Sequence, residues 1–177
     1  MRYWFDSEFH DDGTTIELIS IGVVSEDGRE YYAESCEYAQ DRASPWIQKH
    51  VLPQLRCTQR PTRKIIRDEI ARFFSDPQDV ENLPSSPEFW AYCGEYDWIV
   101  LRQLFGDLMA WPRGWPVLAM DVEQWRLQLN APNFRPQALG KHNALADARY
   151  TRSCWQELTS FSAIHALQSV APGNAAC

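Results

Sequence analysis

Asp6 and Glu8 stand two residues apart in an apolar opening stretch, Arg2 to Gly13. In an extended strand, side chains at i and i+2 leave the same face, so the two carboxylates project side by side while Phe5, Ser7 and Phe9 face elsewhere. Two like charges a few ångströms apart are unfavourable unless something positive sits between them, and a hard divalent cation with oxygen ligands meets that need. A D-x-E pair alone is equally what an ordinary half-exposed acidic strand face presents, so the chemistry needs partners from elsewhere in the chain.

Such partners exist in two later stretches. Glu88 to Cys93 reads as a short buried strand broken by Gly94, which places Glu95 and Asp97 at a strand's C-terminal end, where ligands of open α/β sheets gather. Glu95 and Asp97 are competing candidates for this position, between which the family resemblance given below favours Asp97. Further on, Gly140-Lys141-His142 leads into a helix from about Ala144 to Ala163 that Asn143 is suited to cap. Asp147 then falls in the first turn or so, with His142 just outside the cap and the small Ala144 and Ala148 leaving room around the carboxylate.

The elements that must position these groups follow from the pattern. Arg2 to Phe9, Thr15 to Glu26 and Arg29 to Ser35 read as three strands, the last two a hairpin turned by Asp27-Gly28, and the first as central because it is the most continuously apolar. Helices are predicted from Pro45 and over Arg63 to Phe74, the latter with Ile65, Ile66, Ile70, Phe73 and Phe74 roughly on one face. The basic Arg63, Lys64, Arg67 and Arg72 read either as a solvated helix face or as a phosphate or partner contact. Asp76 to Pro87 is a surface connection, Glu95 to Phe105 a helix, and Met109 to Pro116 a loop. Val117 to Val122 is a last strand ending in Asp121, which is either the N-cap of a short helix Val122 to Leu129 or a site residue. Glu17 reads as a structural or edge carboxylate, and His10, Asp11 and Asp12 as a solvated loop. His50 and His165 read as surface or packing residues.

Length and composition bound the function. With 177 residues, 45% of them hydrophobic, the chain can bury one substantial core, so we expect a single domain over residues 1–168 and a flexible tail over 169–177. A net charge of -7 argues against holding long nucleic acid by phosphate neutralisation alone, but not against gripping a chain end through metal ions. Five scattered cysteines without a C-x-x-C pair read as reduced thiols. No secretory signal and no apolar run of about 20 residues is evident, so a soluble, cytoplasmic protein without membrane contact is expected.

Together, FDSEF at Phe5 to Phe9, AYCGEYDWIVLRQLF at Ala91 to Phe105 and HNALADAR at His142 to Arg149 resemble the DEDDh class of 3'-5' exonucleases. Each motif is weak alone; in this order and with the hairpin between them they are specific. The first thirty-odd residues are more closely similar to the polyadenylate-specific exoribonucleases of the RNase AS type. The resemblance implies a ribonuclease H-like α/β fold, with a central five-stranded mixed sheet flanked by helices. It also implies two Mg²⁺ or Mn²⁺ ions, with Asp6 bridging them, Glu8 and Asp147 holding the one that carries the attacking water, Asp97 holding the second, and His142 taking the proton. Four carboxylates and two such ions sum to about zero charge, and two metals roughly 3.5–4 Å apart stabilise both the entering and leaving oxygens of a phosphodiester displacement.

Phe9 is placed to stack on the terminal base or to pack in the core, and Ser7 to offer its backbone or hydroxyl to the terminal ribose. The expected substrate is an adenine-rich RNA 3' end, the product a nucleoside 5'-monophosphate, and the assembly a homodimer, with the segments around Trp111 and Trp115 as candidates for interface or core. DNA or short oligonucleotides are the alternative substrates, and a catalytically inactive binding module is the alternative outside enzymes.

Overall fold

The computed structural model describes residues 1–75 and 86–170, and side chains as far as residue 166. Most of the connection expected over 76–87, and the end of the tail expected over 169–177, lie outside these residues.

Five strands form one mixed sheet: β1 (Arg2–Asp11), β2 (Ile16–Ser25), β3 (Glu30–Glu34), β4 (Glu88–Ala91) and β5 (Met120–Asp121), in the order β3-β2-β1-β4-β5. The first three run antiparallel, while β4 lies parallel to β1 and β5 parallel to β4. β1 is central, as its apolar run predicts, with Tyr3, Trp4 and Phe5 all buried. The helices are α1 (Pro45–His50), α2 (Arg63–Phe74), α3 (Glu95–Leu104), α4 (Val122–Gln128) and α5 (Ala144–Val170). This is the mixed α/β architecture of a ribonuclease H-like fold.

Alternation along β1 sorts the core into two layers. Tyr3 and Phe5 pack with Ile66, Ile70 and Phe74 of α2 and Val100, Leu101 and Leu104 of α3. Trp4, on the other face, packs with Val122 of α4 and Cys154 and Leu158 of α5. A smaller third cluster joins Ile19 to Ala43, Ile47 and Val51, tying α1 to the sheet. Its origin is a register shift: Glu8 pairs with Ser20 but Phe9 with Leu18, so Ile19 has no partner on β1. Such a bulge re-aims the strand beyond it.

Gly22 explains how α5 sits. It is the cross-strand partner of Asp6, and a Cβ there would come within 2.4 Å of the backbone of Ala144 and Leu145. Only a residue without a side chain lets the first turn of α5 rest on the sheet beside Asp6.

Several boundaries differ from the sequence pattern. The last strand is two residues, not six, because only Met120 and Asp121 have partners on the short β4. The Val117 carbonyl instead accepts from Arg102 at 3.1 Å, and the Val117 side chain is exposed. α5 continues past Ala163 to Val170, since neither proline nor glycine follows Gly140 until Pro172. On α2, Ile66, Ile70 and Phe74 are buried but Ile65 is exposed, lying off that line by about a quarter turn. Trp111 and Trp115 belong to the core: Trp111 is buried with its indole donating to the Pro116 carbonyl, and Trp115 packs on Phe74 and Phe89.

No helix among the described residues is long and apolar enough to cross a membrane. Cys36, Cys57, Cys93 and Cys154 are free thiols.

Candidate active site

Three elements converge on one cleft. β1 supplies Asp6 and Glu8 from the face it shares with Trp4. The N-terminal turn of α5 supplies Asp147, and the turn before it His142. The first turn of α3 supplies Asp97. Glu8, His142 and Asp147 each present a ligand atom within 4.8 Å of one another, and Asp6 lines a cleft of about 310 Å³ with His142, Asp147, Lys141 and Gln137.

Local sequence explains each placement. Gly140, in the left-handed region at φ 75°, begins a tight turn closed by the Asn143 amide donating to the Gly140 carbonyl at 3.0 Å. Asn143 caps α5 by accepting from the Ala146 amide at 3.1 Å, as its type and position predict. His142 has φ 68°, a conformation costly for a residue with a Cβ, and its amide donates to Asp147 Oδ2 at 2.8 Å. Gln137 donates to the other oxygen, Oδ1. Asp97 is buried toward Asp6, whereas Glu95, two residues before it and about half a turn round the helix, faces solvent. Asp121 is a cap: its Oδ1 accepts from the Gln124 amide at 2.9 Å and its Oδ2 from the Gly94 amide at 3.0 Å, fixing the turn that starts α3.

The electrostatics record the convergence. Asp6 is pushed well above the usual carboxylate range, first by desolvation and then by Asp97, Glu8 and Asp147. Glu8 is pushed up to about 8 by burial, then by Asp147 and Asp97. Burial also raises Asp97, to about 6, against the hydrogen bonds from Ser7 that hold it down. Asp147 is raised by burial, opposed first by the bond from Gln137 and then by that from the His142 amide. Four acids that all resist ionisation in one place, with no Arg or Lys ion pair to any of them among the described residues, form a donor set short of positive charge. Hard divalent cations fit that oxygen-rich set. Burial lowers the pKa of His142, so its imidazole is neutral and able to accept a proton near neutrality.

Other expectations are resolved or corrected. Ser7 was expected to face the terminal ribose. Its odd position turns it to the opposite face of β1, where both its amide and its hydroxyl donate to Asp97 Oδ1, at 2.8 and 2.6 Å. Phe9 is half-buried and stacks on Tyr96, centroids 5.6 Å apart and planes 11° from parallel. His10 is buried in β1 and not in a solvated loop, whereas Asp11 and Asp12 accept backbone hydrogen bonds in the turn to β2. Glu17 accepts from the Ala39 amide at 2.9 Å, a structural role. The basic residues of α2 ride on a helix packed against the sheet face opposite Asp6 and Glu8.

Two residues at the site escaped sequence reasoning. Trp46, 52% exposed, lies 4.8 Å from the His142 ring, centroid to centroid, and His50 lies 5.8 Å from it. Both project from α1 toward the cleft. The available signal was their spacing of four, which puts an indole and an imidazole on one face of a helix whose only buried residue is Ile47.

Comparison with known proteins agrees with this geometry. Residues 1–159 match the model of the 3'-5' exoribonuclease Rv2179c-like domain. The chain is 42% identical over 153 residues to the 3'-5' exoribonuclease Rv2179c of Mycobacterium tuberculosis strain H37Rv, an alignment covering 84% of this chain and 88% of that protein. The 3'-5' exoribonuclease MT2234.1 of the CDC 1551 strain matches to the same extent. Every converging residue, from Asp6 to Asp147, falls within the matched span, and the chain belongs to the Rv2179c-like family of 3'-5' exoribonucleases.

Proposed function

We propose that this enzyme is a two-metal exoribonuclease of the DEDDh type, removing nucleoside 5'-monophosphates from adenine-rich RNA 3' ends. The observation that supports it best is the meeting of Glu8, His142 and Asp147 within 4.8 Å beside Asp6, on elements far apart in sequence. Asp6, Glu8, Asp97 and Asp147 would hold Mg²⁺ or Mn²⁺, which when bound supplies charge neutralisation and acidifies a water at neutral pH. His142 takes the water's proton on an imidazole nitrogen; a positioned base of this kind contributes about 10²–10⁴-fold. The Phe9–Tyr96 pair beside Asp97 and the exposed indole of Trp46 offer flat apolar surfaces to bases, whose stacking is tolerant of sequence.

The preference for adenine rests on the likeness of the N-terminal stretch to RNase AS-type enzymes. Assembly as a homodimer rests on the same likeness.

The test is incubation of metal-stripped protein with 5'-labelled RNA tails of each base and with matched DNA, with and without Mg²⁺. Shortening from the 3' end that requires Mg²⁺, is fastest on polyadenylate and is lost in Asp6→Ala supports the reading. Equal decay of all four tails would refute the adenine preference, faster loss of DNA would move the enzyme to the other substrate, and retained turnover in Asp6→Ala would remove that residue from the site.

A further inference from the structure

β1 carries the site on both of its faces. Asp6 and Glu8 occupy one, while Ser7, between them, turns to the other and meets a carboxylate that arrives from α3. That carboxylate, Asp97, receives two bonds from the one residue: the Ser7 amide at 2.8 Å and the Ser7 hydroxyl at 2.6 Å, both on Oδ1. Ser7 is 5% and Asp97 7% exposed, so neither group has bulk water as an alternative partner. Two donors from one residue hold Oδ1 against the strand and restrict how the carboxylate can turn. A charge-assisted bond of this kind is short and roughly twice as strong as a neutral one. The other fixed point of α3 is its N-terminal turn, held by the Gly94 amide on Asp121. Asp97 is thus tied to the sheet by its side chain, and the helix that carries it is tied at Gly94 to the neighbouring β5–α4 junction.

We propose that Ser7 is a positioning residue that locks Asp97 to the strand bearing Asp6 and Glu8, so that the Asp97 carboxylate is held where it would serve the second metal ion. The inference rests on the two-metal reading above and assigns Ser7 to the protein side of the site, away from the substrate's sugar. A partner that orients a ligating carboxylate acts on metal affinity through that ligand, with losses of about 10–100-fold on removal. Because the Ser7 amide persists in any variant, the lower end of that range applies to loss of the hydroxyl alone.

The experiment is titration of metal-stripped full-length protein with Mn²⁺, followed by calorimetry and by the electron paramagnetic resonance of free Mn²⁺, for wild type, Ser7→Ala, Ser7→Thr, Asp97→Ala, the Ser7→Ala/Asp97→Ala double variant and Asp6→Ala. Thermal melts in EDTA report folding for each. Ser7→Ala is expected to weaken one of the two Mn²⁺ affinities about tenfold and leave the other in place. Ser7→Thr, which keeps the hydroxyl, is expected to restore it. In the Asp97→Ala background the Ser7 substitution should have no further effect, because the path runs through Asp97.

A Ser7→Ala protein that binds both ions as wild type does would overturn the assignment, as would equal losses from Ser7→Ala in the presence and absence of Asp97. The double-variant comparison stands even if the threonine methyl proves too large for this buried position. If wild type and Asp6→Ala bind Mn²⁺ alike, the two-metal reading itself fails and the role of Ser7 fails with it; if Asp6→Ala loses binding while Ser7→Ala does not, only the role of Ser7 falls.

Discussion

Replacing Glu8 by glutamine should make the metal-free enzyme more stable, and the size of the gain follows from where Glu8 sits. It is 8% exposed and raised from an ordinary 4.5 to about 8, by burial first and then by Asp147 and Asp97. Because the folded protein holds this proton more tightly than the unfolded chain does, the associated stability is complete below about pH 4.5 and is lost as pH rises through about 8. Each tenfold difference in proton affinity is worth about 1.4 kcal/mol, which would give about 4–5 kcal/mol for Glu8 taken alone. Asp6 is raised as well and shares the same field, so we halve the figure to about 2–3 kcal/mol.

Glutamine keeps the shape and removes the charge, so near pH 8 in EDTA the variant should melt about 4–12 °C above wild type for a chain of this size. Near pH 5, where Glu8 is already protonated in the fold, the two should melt together. Added Mg²⁺ should raise wild type more than the variant, since only binding to the folded state stabilises. Scanning fluorimetry or circular dichroism across this pH range, with EDTA and with Mg²⁺, provides the measurement. A variant that melts with or below wild type near pH 8 in EDTA would refute the claim that Glu8 is held among uncompensated carboxylates.

Three other outcomes are expected. Gly22→Ala sets a methyl group within 2.4 Å of the α5 backbone; it should cost about 1–3 kcal/mol or more in a thermal melt and weaken Mn²⁺ binding as Asp147 is displaced. His142→Ala should bind Mn²⁺ yet turn over RNA about 10²–10⁴ times more slowly in a single-turnover assay, and a near-normal rate would mean another group takes the proton. Trp46→Ala should leave the melt almost unchanged, because that side chain is half exposed, but should raise KM on RNA to the extent of one lost stacking contact, about 1–3 kcal/mol; an unaltered KM would remove Trp46 from the substrate path.

The convergence of the acidic residues was legible in the chain because its cues are local. Period-two spacing put Asp6 and Glu8 on one strand face, a strand-glycine-helix break placed Asp97, and the Asn143 cap placed Asp147. Asp97 is preferred to Glu95 on the family resemblance, and the fold adds that α3 packs on β1 and turns Asp97 inward while Glu95 faces solvent. What escaped depends on tertiary contacts. Trp46 reads as one apolar position of a helical pattern and His50 as a surface or packing residue until the fold sets both beside the His142 ring. Alternation already turned Ser7 from the face of Asp6 and Glu8, but that Asp97 waits there to take both of its donors is visible only in the fold. His10 looked like part of an acidic loop, but β1 runs on through it to Asp11. The two-residue β5 could not be foreseen from an apolar hexamer, since strand length there is set by how much of β4 remains to pair.

The separate anchoring of α1 has an evolutionary corollary. The segment bearing Trp46 and His50 is attached through its own small apolar knot at Ile19, Ala43, Ile47 and Val51, apart from the two larger clusters that support the carboxylates. Because Trp46 and His50 lie against the His142 ring, exchange of this segment alters the surroundings of that imidazole while the packing beneath the carboxylates stays in place.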